Sequence, residues 1–381
     1  MPTLRAMLAA PVVLALLALG TASLPSEPHL TPASSSLPRL VVEGDAPAAA
    51  FLSRRDSPAP RETYRSAGTG IRPGDRFRAG SVTKTFVATV VLQLAGEGAL
   101  QLSDTVDTHL PGLIHGHGND GRRITLRALL THTSGLYDYT EALPATDPAV
   151  TGAAGPSAQP LTPGTAVRTA LTRPPMTAPG TFAYSNTNYV LLGLVVQRVT
   201  GHPYATEIQR RVLTPLRLTG TSFPGARRAL PSPHSRGYHR VPGDGTLRDV
   251  TSAGPRTAGA AGEMVSTLAD LTRFYAALLG GRLLPPAQLA TLLDTRTAHG
   301  LYAMGIYPQK LSCGTTVWGH NGHITGSYVR AAATRDGRHV LVLRANTDTL
   351  SDPDLEPDLL DAEFCRPKSP GSGAAALRGR F

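Results

Sequence analysis

Apolar residues recur at helical spacing from Val82 onward: Val82, Phe86, Val87, Val90, Val91 and Leu94, closed by Gly96 and Gly98. This pattern predicts a buried helix that starts beside Ser81. Ahead of it, "AAAFLSRR" (48–55) and "ETYRSAGTG" (62–70) read as strands. From about residue 100 to 295 helical patterns dominate: "TLRALLTH", "TNYVLLGLVVQRVTG", "TLADLTRFYAALLGG" and "PPAQLATLLDTR". Two stretches rich in Pro, Gly and Thr, 141–180 and 222–262, interrupt them and read as loops. Strand patterns return in "LYAMGIYP" (301–308), "TTVWGHNG" (315–322), "GSYVRAAATR" (326–335) and "RHVLVLRANT" (338–347), with "RDG" (335–337) as a hairpin turn. A last amphipathic helix is expected at about 355–365. Strands at both ends and helices between them predict an α/β (α+β) fold, one antiparallel sheet built from both chain ends with an inserted, mainly helical region.

The terminal segments have another character. Residues 1–23 carry one early charge, Arg5, then an apolar run from Met7 to Leu19 and small residues at Gly20, Thr21, Ala22 and Ser23. That is the pattern of a cleaved secretory signal peptide, so a secreted, extracellular protein is expected. Pro/Ser-rich residues 24–38 read as a linker, 39–366 as one catalytic domain, and 367–381 as a disordered basic tail.

Composition adds three points. Basic residues exceed acidic ones by ten, and 34 of the 37 basic residues are arginine. A solvated arginine-rich surface is the expected reading, with attraction to an anionic cell surface as the alternative. No nucleic-acid motif is present, and no Cys/His spacing suits a metal; "HGHG" (115–118) reads as a solvated loop. The two cysteines, Cys313 and Cys365, are expected to be bridged, because the count is even and the chain carries an export signal. No metal or cofactor is implied, and a monomer is expected.

Lys84 is one of three lysines, and it lies inside the apolar helix, three residues after Ser81. Residues three apart share a helix face, so the amine can reach the Ser81 hydroxyl. Burial among Val and Phe disfavours the ammonium, and a neutral lysine can take a proton. Serine becomes a nucleophile when such a base is adjacent. The helix N-terminus adds N–H groups for a developing oxyanion.

Two further segments bear on this pair: "TFAYSNTNYV" (181–190), with Tyr184, Ser185 and Asn186, and "VWGHNGHITG" (317–326), with His320, Asn321, Gly322 and His323. With S-x-x-K at Ser81, they make the chain resemble the serine β-lactamase and penicillin-binding-protein superfamily. The likeness runs from about residue 40 to 366 and includes "LLTHTSGLYDYT", "LTPLRLTGTSF", "LSCGTTVWGHNG" and "ANTD". It is greatest to secreted D-alanyl-D-alanine carboxypeptidases, on the class-C β-lactamase side, and includes the positions of both cysteines. The resemblance implies that Ser81 is acylated, Lys84 lowers the barrier to removing its proton, and Tyr184 relays protons as base or acid. Asn186 would bond Lys84 and the substrate amide, and His320 would tune the opposite wall. Gly322 would let the substrate lie close to the strand, and the N–H groups of Ser81 and His323 would form the oxyanion hole. "LLTHTSGL" (129–136) reads as a structural turn and Trp318 as core.

The specificity residues depart from that family. Its carboxypeptidases hold the substrate carboxylate with an arginine shortly before LSCG and with threonines in the third motif. Here the preceding segment is "YPQK", and Asn321 and His323 replace the threonines. Lys310 and His323 are the available cations for substrate binding, but neither matches the two-pronged grip of arginine. The resemblance implies a secreted D-Ala-D-Ala carboxypeptidase acting on peptidoglycan stem peptides, with β-lactams as acylating inhibitors or substrates. The alternative is an esterase, D-amino-acid amidase or β-lactamase of the same fold. Intact Ser81, Lys84, Tyr184 and Asn186 argue against a binding protein without turnover.

Overall fold

The computed structural model describes residues 32–365, apart from 57–58, 144–160, 226, 242, 244 and 254–258. Residues 1–31 and 366–381, which hold the expected signal peptide, the start of the expected linker and the expected basic tail, lie outside the described residues. Six strands form one antiparallel sheet: β1 (Ala48–Arg55), β2 (Arg61–Gly68), β3 (Tyr307–Lys310), β4 (Thr316–Ile324), β5 (Ser327–Ala333) and β6 (His339–Ala345). Their order is β2-β1-β6-β5-β4-β3. The two chain ends meet at its centre, where β1 pairs with β6 from Ala49 opposite Ala345 to Arg55 opposite His339. The α/β (α+β) class and the sheet from both chain ends are as the pattern predicts.

Strand alternation divides two cores. On the inner face Ala48, Ala50, Ala331, Ala333, Val340 and Val342 pack under the helices Thr83–Gly96 and Leu268–Leu279. Alanines there let the helices approach the sheet closely. On the outer face Ala49, Phe51, Leu341 and Leu343 pack against the helix Leu355–Phe364. The disulfide Cys313–Cys365 joins the turn before β4 to the end of that helix.

Three expectations are corrected. Residues 32–38 are not linker: Pro32–Ser36 is a short helix, and Ala33 and Leu37 are buried against Leu355, Leu359 and Leu360. Two apolar residues four apart outweighed the Pro/Ser composition. The segment 301–308 is strand only from Tyr307, because Gly305 takes a positive φ of 72°. A side chain on Gly305 would meet the Lys84 carbonyl oxygen at 2.7 Å, so this turn is pressed onto the helix that carries Lys84. Both loop-like inserts hold regular structure: the helix Pro163–Leu171 in the first, the ribbon Tyr238–Arg240 with Leu247–Asp249 and the turn of helix Gly259–Gly262 in the second.

Candidate active site

Ser81 sits in a 3₁₀ turn, Gly80–Val82, that leads directly into the helix Thr83–Gly96. The turn is wedged against β4. Gly80 has φ 52°, and a Cβ on it would lie 2.9 Å from the His323 backbone nitrogen. A Cβ on Gly322 would lie 2.0 Å from the Ala79 carbonyl oxygen. The room that Gly322 makes is therefore filled by the chain's own Ala79 carbonyl, which corrects the expectation that it serves substrate approach alone.

Lys84 is fully buried, and three groups surround its amine. Nζ lies 2.8 Å from Asn186 Oδ1, 2.6 Å from the Ala261 carbonyl oxygen and 3.0 Å from Ser81 Oγ. The first two atoms can only accept. A neutral amine gives both its hydrogens to them and turns its lone pair to the serine hydroxyl. Burial lowers the pKa of Lys84 to about 7, partly opposed by Asp138, so this neutral form is well populated near neutral pH.

Asp138 sets the geometry of Asn186. Its Oδ2 accepts from the Asn186 backbone N–H at 3.0 Å and from Asn186 Nδ2 at 2.9 Å. With Nδ2 so engaged, Oδ1 must face Lys84. Oδ1 of Asp138 accepts from the Thr140 N–H at 3.0 Å, which holds the carboxylate in turn. Asp138 was missed as a site residue: it lies in the quoted "LLTHTSGLYDYT", but a single acid has no spacing signature. Ala261 was missed because a backbone acceptor leaves no mark in residue type.

Burial raises the pKa of the Tyr184 hydroxyl, which the neighbouring Ser81 hydroxyl opposes only in part. It stands as a protonated phenol at neutral pH, so of the two groups beside Ser81 it is the amine that can accept a proton. His132, from the turn at 129–136, stacks on the Tyr184 ring at 4.1 Å. Its Nδ1 accepts from the Ser185 N–H at 3.2 Å and Asn188 Nδ2 at 3.1 Å, and burial drives its pKa well down, so it is a neutral prop.

β4 forms the opposite wall. His320 is buried, with Nδ1 2.5 Å from the Asn321 carbonyl oxygen and Nε2 2.8 Å from the Tyr302 hydroxyl. The carbonyl can only accept, so Nδ1 carries the hydrogen and Nε2 receives from Tyr302. Burial, then the nearby Lys84, lowers its pKa to about 3. His320 thus puts no positive charge on this wall at neutral pH. His323 is exposed to solvent, and partial desolvation by the surrounding wall, opposed by Asp348, lowers its pKa, which weakens it as the expected cation. Alternation places Asn321 and His323 on the sheet face opposite His320 and Gly322. Trp318 is core, as expected.

Lys310 is not brought to the site. It pairs with Thr316, whereas Tyr307 pairs with Gly319 at the end of β3 nearest His320. Three residues of strand separate Lys310 from Tyr307, about 10 Å. Tyr307 fills the nearer position instead. Its ring lies 5.5 Å from that of His320, and burial raises the pKa of its hydroxyl, which stays protonated and uncharged at neutral pH. The Arg330 guanidinium sits 4.8 Å from the Tyr307 ring, fully buried and paired with Glu356 at 2.9 Å.

A family model described as Beta-lactamase matches residues 41–364. The chain belongs to the beta-lactamase family. It is a serine hydrolase of that family, and its neighbours include amidases and penicillin-binding proteins. A D-stereospecific amidohydrolase from Streptomyces sp. is 40% identical, with a TM-score of 0.80 over 89% of this chain and 99% of that one. A D-amino acid amidase from Ochrobactrum anthropi SV3 shares the fold, at 23% identity and a TM-score of 0.73 over 87% of this chain and 97% of that one. The putative penicillin-binding protein PbpX of Bacillus subtilis is 28% identical over 72% of this chain. Penicillin-binding protein 4 of Amycolatopsis lactamdurans is 28% identical over 55%. The chain spans 63% and 52% of the length of these two curated relatives.

Proposed function

We propose that this beta-lactamase-family hydrolase cleaves amide bonds at the carbonyl of D-amino acids through an acyl-enzyme on Ser81. The observation that carries this reading is the neutral edge of β4. Tyr307 holds the β3 position nearest His320, the charged form of His323 is disfavoured, Lys310 lies down the strand, and Arg330 is buried beneath Tyr307. None of these groups stands ready as a cation for a substrate's terminal carboxylate. The 40% identity to a D-stereospecific amidohydrolase supports the same reading.

In the proposed cycle neutral Lys84 takes the Ser81 proton as Oγ adds to the substrate carbonyl carbon. The N–H groups of Ser81 and His323 receive the oxyanion. The C–N bond breaks, and the leaving amine gains the proton held by Lys84, passed through the Tyr184 hydroxyl. Water then adds to the ester, gives its proton along the same path, and the acid departs as Ser81 regains its hydrogen. Asn186 aims Lys84 and bonds the substrate amide.

A D-Ala-D-Ala carboxypeptidase of the cell wall ranks second. The penicillin-binding relatives favour it, as does the leader-like sequence of residues 1–23, from which we also propose export. Turnover of a D-Ala-D-Ala peptide beside its C-terminal amide separates the two. The amide is expected to be cleaved at least as well. A free acid preferred by roughly a hundredfold, about 2.7 kcal/mol, would transfer the assignment to the second reading. A penicillin or fluorophosphonate probe should add one adduct, on the peptide containing Ser81; labelling that survives Ser81→Ala would sink both.

A further inference from the structure

A cleft of about 570 Å³ opens away from the Ser81 site. The site lies at the β4–β5 hairpin, and the cleft at the β5–β6 hairpin, so the length of β5, roughly 20 Å, separates them. Five arginines line it: Arg54 at the end of β1, Arg217 from the helical region, Arg273 and Arg282 on and just beyond the helix Leu268–Leu279, and Arg338 on the β5–β6 hairpin. Two acids stand against them, Asp56 and Asp336, leaving a formal excess of 5 − 2 = 3 positive charges.

Those acids do not neutralise the arginines evenly. Asp56 pairs with Arg54 at 2.9 Å, and Asp270, outside the cleft wall, lies 3.6 Å from Arg273. Asp336 spends Oδ1 within its own turn, on the Thr334 hydroxyl at 2.6 Å and the Arg338 backbone N–H at 3.0 Å. Among the described residues Arg217, Arg282 and Arg338 have no carboxylate within ion-pair distance, and all three are exposed. Arg54 is already answered by Asp56 and Glu62, and compensation of helix C-termini accounts for Arg217 and Arg282, which follow such ends, but not for Arg338 on a hairpin. The wall is also held closely. A Cβ on Gly337 would meet the Ala276 carbonyl oxygen at 2.7 Å and the Gly280 nitrogen at 2.8 Å, so the hairpin rests on the helix end and fixes Arg338 relative to Arg282.

Guanidinium groups offer paired N–H donors that match phosphate oxygens, and several converging on one polar cleft favour a multiply charged oxyanion over a single carboxylate. We propose that this cleft binds a phosphate-bearing polyanion, with Arg217, Arg282 and Arg338 engaging its phosphates together. Held there, the enzyme keeps its Ser81 mouth free at the other end of β5. The arginine excess in the sequence, assigned above to a solvated surface, thereby gains a local use.

Titration calorimetry of the intact protein with tripolyphosphate and with long-chain polyphosphate, across a salt series, tests this. Saturable binding is expected, with a log–log salt slope near −2, from three contacts at about 0.7 each for a single-stranded polyanion. The double variant Arg217→Gln/Arg282→Gln should weaken binding at least tenfold. Arg168→Gln/Arg198→Gln, exposed arginines outside the cleft with the same charge change, should weaken it less than twofold. Hydrolysis of a small amide should be unchanged in both. Tighter binding of the long chain identifies a polymer as the ligand; equal affinity identifies a small phosphate compound at the same site. Equal losses in the two double variants, non-saturable binding, or association with phosphatidylglycerol vesicles without polyphosphate binding would overturn the proposal.

Discussion

Replacing Asp138 by asparagine should move the pH dependence of catalysis downward while lowering its ceiling. Lys84 is inactive as the ammonium, and its pKa of about 7 sets the acid limb of the profile. The carboxylate of Asp138 favours the ammonium, so it raises that pKa. Asp138→Asn removes this charge, the pKa falls, and the limb shifts to lower pH. Two hydrogen bonds and one amide lie between the groups, roughly 7 Å, so Coulomb's law gives about 0.6 kcal/mol at ε ≈ 80 and about 2.4 kcal/mol at ε ≈ 20. The midpoint should therefore drop by about 0.4 to 1.7 pH units. The plateau should fall as well, by about ten- to a hundredfold, because a neutral amide no longer compels Asn186 to turn Oδ1 toward Lys84. The assay is kcat/KM for a small D-aminoacyl amide between pH 5 and 9, with circular dichroism to verify folding. An acid limb that stays in place or rises, in a folded variant, would refute the view that Lys84 acts as the neutral base under the influence of Asp138.

Tyr307→Arg places a cation at the edge of β4 and should raise the ratio of free-acid to amide turnover by about tenfold, the value of one charge-assisted contact; an unchanged ratio in paired kinetic runs would show that the carboxylate is recognised elsewhere. Unfolded, unreduced protein should show no free thiol on titration, and Cys313→Ser/Cys365→Ser should lose about 4 kcal/mol by denaturant unfolding, the chain-entropy value for a separation of 52 residues. Leu37→Ala should cost about 2–4 kcal/mol, as a buried core leucine does, and a loss under about 0.5 kcal/mol would return residues 32–38 to the status of linker.

The parts of the site with a fixed spacing were legible. Ser81 and Lys84 lie on adjacent turns of one helix, and Asn186 opens another, so local pattern predicted their placement. The sheet was legible from short runs rich in β-branched and apolar residues at 316–324, 327–333 and 339–345, separated by the turn signals of 325–326 and 335–337. What failed depended on contacts distant in sequence. Lys310 was the right charge near the right motif, but strand register carried it away from His320. His323 was a possible cation until the wall around it disfavoured the charge. Tyr307 stood in the quoted "YPQK", and nothing in its neighbours announced that strand register would set its ring 5.5 Å from that of His320.

The Ala261 carbonyl has a different kind of consequence. It makes the shortest of the three contacts to the Lys84 amine, yet it belongs to the main chain. An alanine scan would pass over it in silence, and drift among small side chains at that position would leave the contact untouched. Insertions and deletions are another matter. One residue added or lost between Gly259 and the helix Leu268–Leu279 would swing a different peptide group toward the amine, or none. Burial of Ala260, Ala261 and Gly262 restricts this turn to small side chains, and the main-chain contact restricts its length as well, a constraint that only insertions and deletions would expose.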